Sequence, residues 1–307
     1  DEAFAGLPVS VPVIDAHSHL SPYYMSGWYQ DPAQTGTQAI VDSLDRLGIN
    51  CLVSAPHPLI LGMMAEANRI VARILDTMAA EVRPGAPTRR FEEIAQDMCR
   101  TIGVRPAFQG YNGFPHALCC SVNEQVVHGF PSERVLQEGD IVSFDMGVVY
   151  NGFYGDSART YPVGRVSDEA ARLLEVTRRS LMAGIEQARP GNFLHDVSRA
   201  VQECVEVEGF SVVRRFVGHG IGRRLHEKPE VPNFVPKGAT ALPLKAGMVL
   251  AIEPMVCVGG PEVEILEDHW TAVTKDRSLS AHFEHSVAVT GQGPEILSLS
   301  PVATGVA

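Results

Sequence analysis

The sequence predicts an α+β fold preceded by a β-α-β extension, on three observations. Helical patterns come in two pairs, each followed by a run of short strands, and not in the regular strand-helix alternation of a β/α barrel. The dipeptide Asn151-Gly152 sits between two apolar runs, a strong local signal for a two-residue hairpin. At Pro58-Leu59-Ile60-Leu61-Gly62-Met63 the character of the chain changes, which divides it into residues 1–62 and 63–307.

Taken in order, residues 10–20 form an apolar run of strand length, 38–47 (QAIVDSLDRL) has helical spacing, and 50–55 (NCLVSA) is a second strand. From Leu61 a long helical pattern continues to Arg83-Pro84-Gly85, and Thr88 is placed to cap a second helix that begins Arg89-Arg90-Phe91-Glu92. Residues 104–163 read as strands and turns, 167–188 and 194–208 as two helices, and the remainder as short strands punctuated by Gly and Pro. The later half loosely echoes the order of 62–163, two helices and then strands.

With 307 residues and 45% hydrophobic content, the chain can bury one large core or two ordinary ones. Lys and Arg number 25 against 36 Asp and Glu, and the net charge of -11 opposes non-specific binding to nucleic acid or anionic lipid while favouring divalent cations. No apolar run approaches the roughly 18–20 residues of a membrane span, and DEAFAGLPVS lacks the basic start of a signal peptide, so the expected location is the cytoplasm. The six cysteines are scattered, with neither CxxC nor finger spacing, as expected of reduced thiols.

The chemistry begins in IVSFDMGVVYNGFYGDSART, residues 141–160. A turn at Asn151-Gly152 sets Tyr150 opposite Phe153 and Gly147 opposite Asp156. Asp145 and Asp156 then share one face as diagonal neighbours, roughly 7–8 Å apart at the backbone, a spacing that can hold metal ions between two carboxylates. Isolated strand aspartates are ordinarily solvated or capping residues, but two on one face of an apolar hairpin need compensation. Three later stretches offer it: VGHGIGRRLHEKPE with His219, AIEPM with Glu253, and AHFEHSVAV with Glu284, each in an apolar context. Four carboxylates and one imidazole form an oxygen-rich set suited to a pair of Mn, Fe, Co or Zn ions.

Together with YNGFPHALCCSVNEQVVHGFP (111–131) and TKDRSLSAHFEHSVAVT (274–290), these motifs resemble the type I methionine aminopeptidases, in that family's order and over roughly residues 63–298. No long insertion separates His219 from Glu253, unlike the type II branch. The resemblance implies the pita-bread fold and a pair of divalent metal ions held by Asp145, Asp156, His219, Glu253 and Glu284, with Asp156 and Glu284 bridging. It implies hydrolysis of the first peptide bond of a peptide or nascent chain that starts with Met and has a small second residue. An ionised metal water would attack, Glu253 would shuttle its proton, His226 would donate to the carbonyl oxygen, and His128 would lie near the scissile nitrogen. Phe108, Tyr111, Phe114, Cys119, Leu225 and Trp270 would line the methionine pocket, Phe108, Leu225 and the neighbouring Asn112 being departures from the residues frequent in the family. Transient contact with the ribosome is the further partner the resemblance implies.

Residues 11–62, with IDAHSHL and VSAPHPLILG, resemble the first two β-α units of an amidohydrolase, whose His-x-His pair binds a catalytic metal. A complete barrel of that kind needs about 250 residues and ligands from later strands. The chain has no room for both, so His17 and His19 are expected to take no part in catalysis. The rival readings are a prolidase or proline-specific aminopeptidase of the same fold, opposed by the motifs just quoted, and a non-catalytic binding protein, opposed by five intact ligands.

Overall fold

A computed structural model describes residues 58–239 and 241–300. The N-terminal β-α-β expectation, with His17 and His19, lies outside the described residues, as does the amidohydrolase resemblance. The first helix, α1 (Pro58–Ala79), begins earlier than the sequence pattern, with Pro at its start, and runs through residues 62 and 63 without a break. α2 (Arg89–Ile102) starts where expected and ends on left-handed Gly103, but Thr88 is not its side-chain cap. The Thr88 hydroxyl instead donates to Ser132 O at 3.0 Å and accepts from Ser132 N at 2.9 Å, because the segment holding Ser132 packs across this helix start and competes for it.

After β1 (Arg105–Pro106), β2 (Leu118–Val122) and β3 (Gln125–Val127) comes the hairpin of β4 (Ile141–Tyr150) and β5 (Phe153–Pro162). β4 pairs with β1, β2 and β5 in one sheet, and α1 and α2 pack on it through Ile70, Ile74, Leu75, Phe91, Phe144 and Met146, all buried. Arg159 of β5 donates to Asp76 of α1 at 2.7 Å.

The second half repeats that order. α3 (Asp168–Gln187), capped by the Ser167 hydroxyl, and α4 (Leu194–Glu206) match the predicted helix pair. Ten short strands follow: β6 (Ser211–Val212), β7 (Gly218–Gly220), β8 (Glu227–Val231), β9 (Val249–Ile252), β10 (Met255–Cys257), β11 (Val263–Ile265), β12 (Ala272–Thr274), β13 (Ser280–His282), β14 (His285–Thr290) and β15 (Gly293–Ile296). They form a five-stranded sheet in the order β15-β14-β9-β7-β8 and two three-stranded sheets, β13-β10-β6 and β11-β12-β3. Leu181, Ile185 and Val197 of the helices bury against Leu250, Ile252 and Val287 of the larger sheet. Among the described residues no helix is long and apolar enough to cross a membrane, and five cysteines are free.

Candidate metal centre and substrate pocket

The hairpin has the predicted register, with Tyr150 opposite Phe153, Gly147 opposite Asp156 and Asp145 opposite Ala158. Asn151 (φ 48°) and Gly152 (φ 79°) both take the left-handed backbone that a tight hairpin turn requires. The two aspartates therefore share a face, since residues two apart on a strand point the same way. Asn68 of α1 fixes the backbone behind one of them: its Oδ1 accepts from Asp156 N at 3.2 Å, while its Nδ2 donates to Met64 O.

His219 sits on β7 between two glycines, with β8 on one side and β9 on the other. A Cβ on Gly218 would fall 2.3 Å from Ala251 O and one on Gly220 would fall 2.4 Å from Lys228 O, so the close approach of three strands excludes other residues there. His219 Nδ1 lies 2.9 Å from Gly220 O. A carbonyl only accepts, so the ring proton is on Nδ1 and the Nε2 lone pair faces the site. Burial and the nearby His226 lower the pKa of His219 to about 4, keeping it neutral.

Glu253 and Glu284 occupy the breaks where one two-stranded ribbon passes between sheets. β9 ends at Ile252 and β10 begins at Met255; on the partner, β13 ends at His282 and β14 begins at His285. Ile252 pairs with His285 and Met255 with His282, leaving Glu253-Pro254 facing Phe283-Glu284. Pro254 has no N–H to extend the ladder, which frees the glutamates from the regular alternation of faces. Glu284 N donates to Ala158 O at 2.8 Å and Ser157 Oγ donates to Glu284 O at 2.7 Å, stitching this break to the strand that carries Asp156.

Asp156, His219 and Glu284 each offer a ligand atom within 4.8 Å of the others. Glu253 joins them through Oε1, 3.5 Å from His219 Nε2, and His219 Nε2 is 4.0 Å from Asp156 Oδ2. Asp145 is outside that tight group of three but is electrostatically joined to it. Burial pushes Asp145 up to about 7 and Glu253 up to about 8, and burial with mutual repulsion raises Asp156 and Glu284 well above the usual carboxylate range. Asp145 Oδ1, Asp156 Oδ1 and Glu284 Oε1 are buried with no hydrogen-bond partner. Each such atom costs about 1–3 kcal/mol, and divalent cations relieve both this cost and the repulsion. The donor set thus fits a hard or borderline divalent metal.

His226 and His128 flank this centre. The His226 ring centroid is 4.3 Å from that of His219, and its Nδ1 is 2.8 Å from Tyr111 Oη; burial lowers its pKa. His128 follows β3 with a left-handed backbone (φ 60°), a strained conformation for a non-glycine residue, and its ring lies 5.4 Å from Phe216 and 6.3 Å from Trp270. Burial, then the neighbouring His282 and His226, lower its pKa to about 4.

All six residues expected to line the pocket fall in one cluster: Phe108, Phe114, Cys119 and Leu225 are buried, with Tyr111 and Trp270 partly buried against them. Phe114 meets Trp270 edge-on at 5.1 Å. Burial and the adjacent Asp145 push the Cys119 thiol well up, so it is an un-ionised, apolar wall. The sequence reading missed Phe130, which meets Phe114 edge-on at 5.5 Å, and His282, whose Nε2 lies 3.6 Å from Glu253 Oε2. Both stand in quoted motifs, Phe130 two residues after His128 and His282 two residues before Glu284, so closeness along the chain to a named site residue was the available signal.

Residues 62–291 match the description of metallopeptidase family M24. Methionine aminopeptidase 1 of Bacillus subtilis is 50% identical over 249 residues, which span 80% of this chain and 99% of that protein. The crystal structure of methionine aminopeptidase from Thermotoga maritima superposes with a TM-score of 0.77 at 46% identity, covering 79% of this chain and 97% of that one. A prolidase from Pyrococcus horikoshii reaches a TM-score of 0.67 at 19% identity, covering 84% of this chain and 66% of that one, a likeness of fold alone.

Proposed function

This chain belongs to metallopeptidase family M24 and, within it, to the pita-bread methionine aminopeptidases, and on that premise we propose that Asp145, Asp156, His219, Glu253 and Glu284 hold two divalent metal ions for removal of N-terminal methionine. The observation that carries the assignment is the convergence of Asp156, His219 and Glu284 within 4.8 Å, with orphaned carboxylate oxygens, in contact with the neighbouring His226. Co, Mn, Fe and Zn all suit this oxygen-rich set with its single imidazole. Bound there, the ions supply Lewis acidity and lower the pKa of water.

The chain's own groups do the rest. The methionine side chain enters the cluster of Phe108, Tyr111, Phe114, Cys119, Leu225 and Trp270, where aromatic edges favour a thioether. Burial keeps His226 neutral. With the Tyr111 hydroxyl donating to Nδ1, the His226 proton stays on Nε2 and is donated to the substrate carbonyl oxygen as it gains charge. Glu253, which burial raises to about 8 in the metal-free protein, would be held ionised beside bound cations and so could take a proton from the attacking water and return it to the leaving amine. His128, neutral for the same reason as His226, sits beside the scissile nitrogen.

The preferred substrate is a peptide or nascent chain beginning with Met and a small residue. We place the reaction in the cytoplasm beside the ribosome, where an initiator methionine, the proposed substrate, first emerges. Purified protein assayed with Met-Ala-Ser and with Xaa-Pro peptides, before and after chelation and return of metal, tests the reading. Methionine release that is lost on chelation and restored by metal is expected. Cleavage confined to Xaa-Pro peptides, or full activity after exhaustive chelation, overturns it.

A further inference from the structure

Beyond the proposed ligands, one buried polar atom at this centre has no assigned work. His282 Nε2 is shielded from solvent and has no hydrogen-bond partner. Of the neighbouring carboxylates, Asp145 acts on it through space and Glu253 Oε2 lies 3.6 Å from it, while the other oxygen of the Glu253 carboxylate faces His219 Nε2 at 3.5 Å. Glu253 therefore lies between two imidazoles. They are not equivalent: Nδ1 of His219 is committed to Gly220 O, so its Nε2 carries a lone pair and has no proton to offer a carboxylate.

The backbone of His282 is fixed. Its N–H donates to Thr160 Oγ1 at 2.9 Å, and Thr160 Oγ1 donates to His282 O at 2.7 Å. Thr160 is also 2.8 Å from Ser143 Oγ, so His282 is tied to both strands of the aspartate hairpin. A leucine would fill this buried space without leaving a polar atom unpaired, and retaining an imidazole there costs about 1–3 kcal/mol unless its nitrogen finds a partner.

We propose that His282 is a positioning residue whose Nε2–H, 3.6 Å from Glu253 Oε2 in the metal-free protein, donates to that oxygen when the carboxylate is drawn in as a ligand and so holds it, through its other oxygen, at the metal-binding cluster. The inference rests on the metal-site reading given above and adds to it the residue that aims one of the ligands. Hydrogen bonds to metal-binding carboxylates set ligand orientation, and removing such a partner typically costs about 10–100-fold in metal affinity or activity.

The test uses the full-length protein stripped of metal, titrated calorimetrically with Co²⁺ and separately with Mn²⁺, as wild type, His282→Leu and His282→Gln. Leucine keeps bulk and removes the donor; glutamine supplies an amide N–H in a side chain of similar reach. Circular dichroism and melting curves confirm folding, and His282→Ala repeats the donor removal in a smaller side chain. The expected result is an affinity for the ion weakened about 10–100-fold in His282→Leu, restored to within about threefold in His282→Gln, with kcat on Met-Ala-Ser falling in Leu more than KM rises. Wild-type affinity in folded His282→Leu or His282→Ala overturns the proposal. Affinity as weak in Gln as in Leu also overturns it, because the nitrogen would then be needed for something other than donating a proton. Failure of the wild-type protein to bind either ion would instead overturn the metal-site reading itself.

Discussion

The two halves of the described chain reach the same centre by different means. The first half supplies Asp145 and Asp156 from adjoining strands of one hairpin, aligned by a two-residue turn. The second half supplies His219, Glu253 and Glu284 from three separate segments: a strand pinched between neighbours, and two breaks in a ribbon that passes between sheets. The difference teaches that a carboxylate pair can be set by local backbone geometry alone, whereas the groups that complete the cage depend on tertiary packing. Ser157, Ser286 and the Glu284 backbone join the two, since Ser157 Oγ donates to Glu284 O and Ser286 Oγ donates to Asp156 O.

The largest expected effect tests whether the second half is indispensable. Glu284→Ala removes a proposed ligand that the hairpin cannot replace, and methionine release from Met-Ala-Ser should fall at least about 1,000-fold, roughly 4 kcal/mol of barrier. Asp145→Asn, on the hairpin side, should fall comparably in the same assay. Full turnover in Glu284→Ala would mean that the hairpin aspartates suffice and that the second half is only scaffold.

Next in size is His226→Ala, which removes the proposed oxyanion donor, a group expected to act mainly in the transition state. A loss of about 100–1,000-fold in kcat is expected, with KM little changed. If only KM rises, His226 holds substrate and the oxyanion role belongs elsewhere.

The same contrast explains what the sequence revealed. The hairpin was legible from residues because Asn151-Gly152 and a period of two fix its register without help from the rest of the chain. Glu253 and Glu284 were picked out by their apolar context, but their joint role came only with the resemblance to a known family: they sit where regular pairing fails, so no alternation points to their faces. His282, in the same ribbon, escaped notice because its partner is Glu253 on the opposing strand. Thr88 shows the reverse error, a local capping rule overridden when Ser132 claimed its hydroxyl. The helix pairs were readable in both halves, since each presents a long apolar face to a sheet.

A smaller effect separates the carboxylates from the histidines by pH. In the metal-free protein Asp145 and Glu253 are raised to about 7 and 8, above their usual 3.8 and 4.5. At pH above those usual values the folded protein holds protons that the unfolded chain has released, so rising pH favours unfolding until the folded values are passed. His219 and His128, lowered to about 4, act in the opposite sense but only below their usual 6.5. Between pH 6.5 and 8 the carboxylates therefore dominate, and the metal-free protein should lose on the order of 1–2 kcal/mol, a few degrees of melting temperature. Saturating Co²⁺ or Mn²⁺, which binds the ionised carboxylates, should abolish that slope. A metal-free melting temperature that rises across this window would show that the carboxylates are not held protonated, and with them the electrostatic case for a cation would fall.

The smallest expected effect concerns His17 and His19, which belong to neither half. Asp156, His219 and Glu284 converge without them, and a His-x-His pair in an amidohydrolase works only with further ligands from later strands of its own barrel, whereas residues 62–291 here match another family. Two histidines by themselves leave most of a metal's coordination to water and bind it weakly. The double change His17→Ala, His19→Ala should thus leave methionine release within about threefold of wild type, roughly 0.65 kcal/mol of barrier. The measurement is kcat and bound metal on protein shown to be folded by circular dichroism, because stability can shift independently of chemistry. A tenfold or greater fall in kcat together with loss of a metal ion would make the N-terminal segment part of the catalytic machinery, and the division of labour between the two halves would have to become one among three regions.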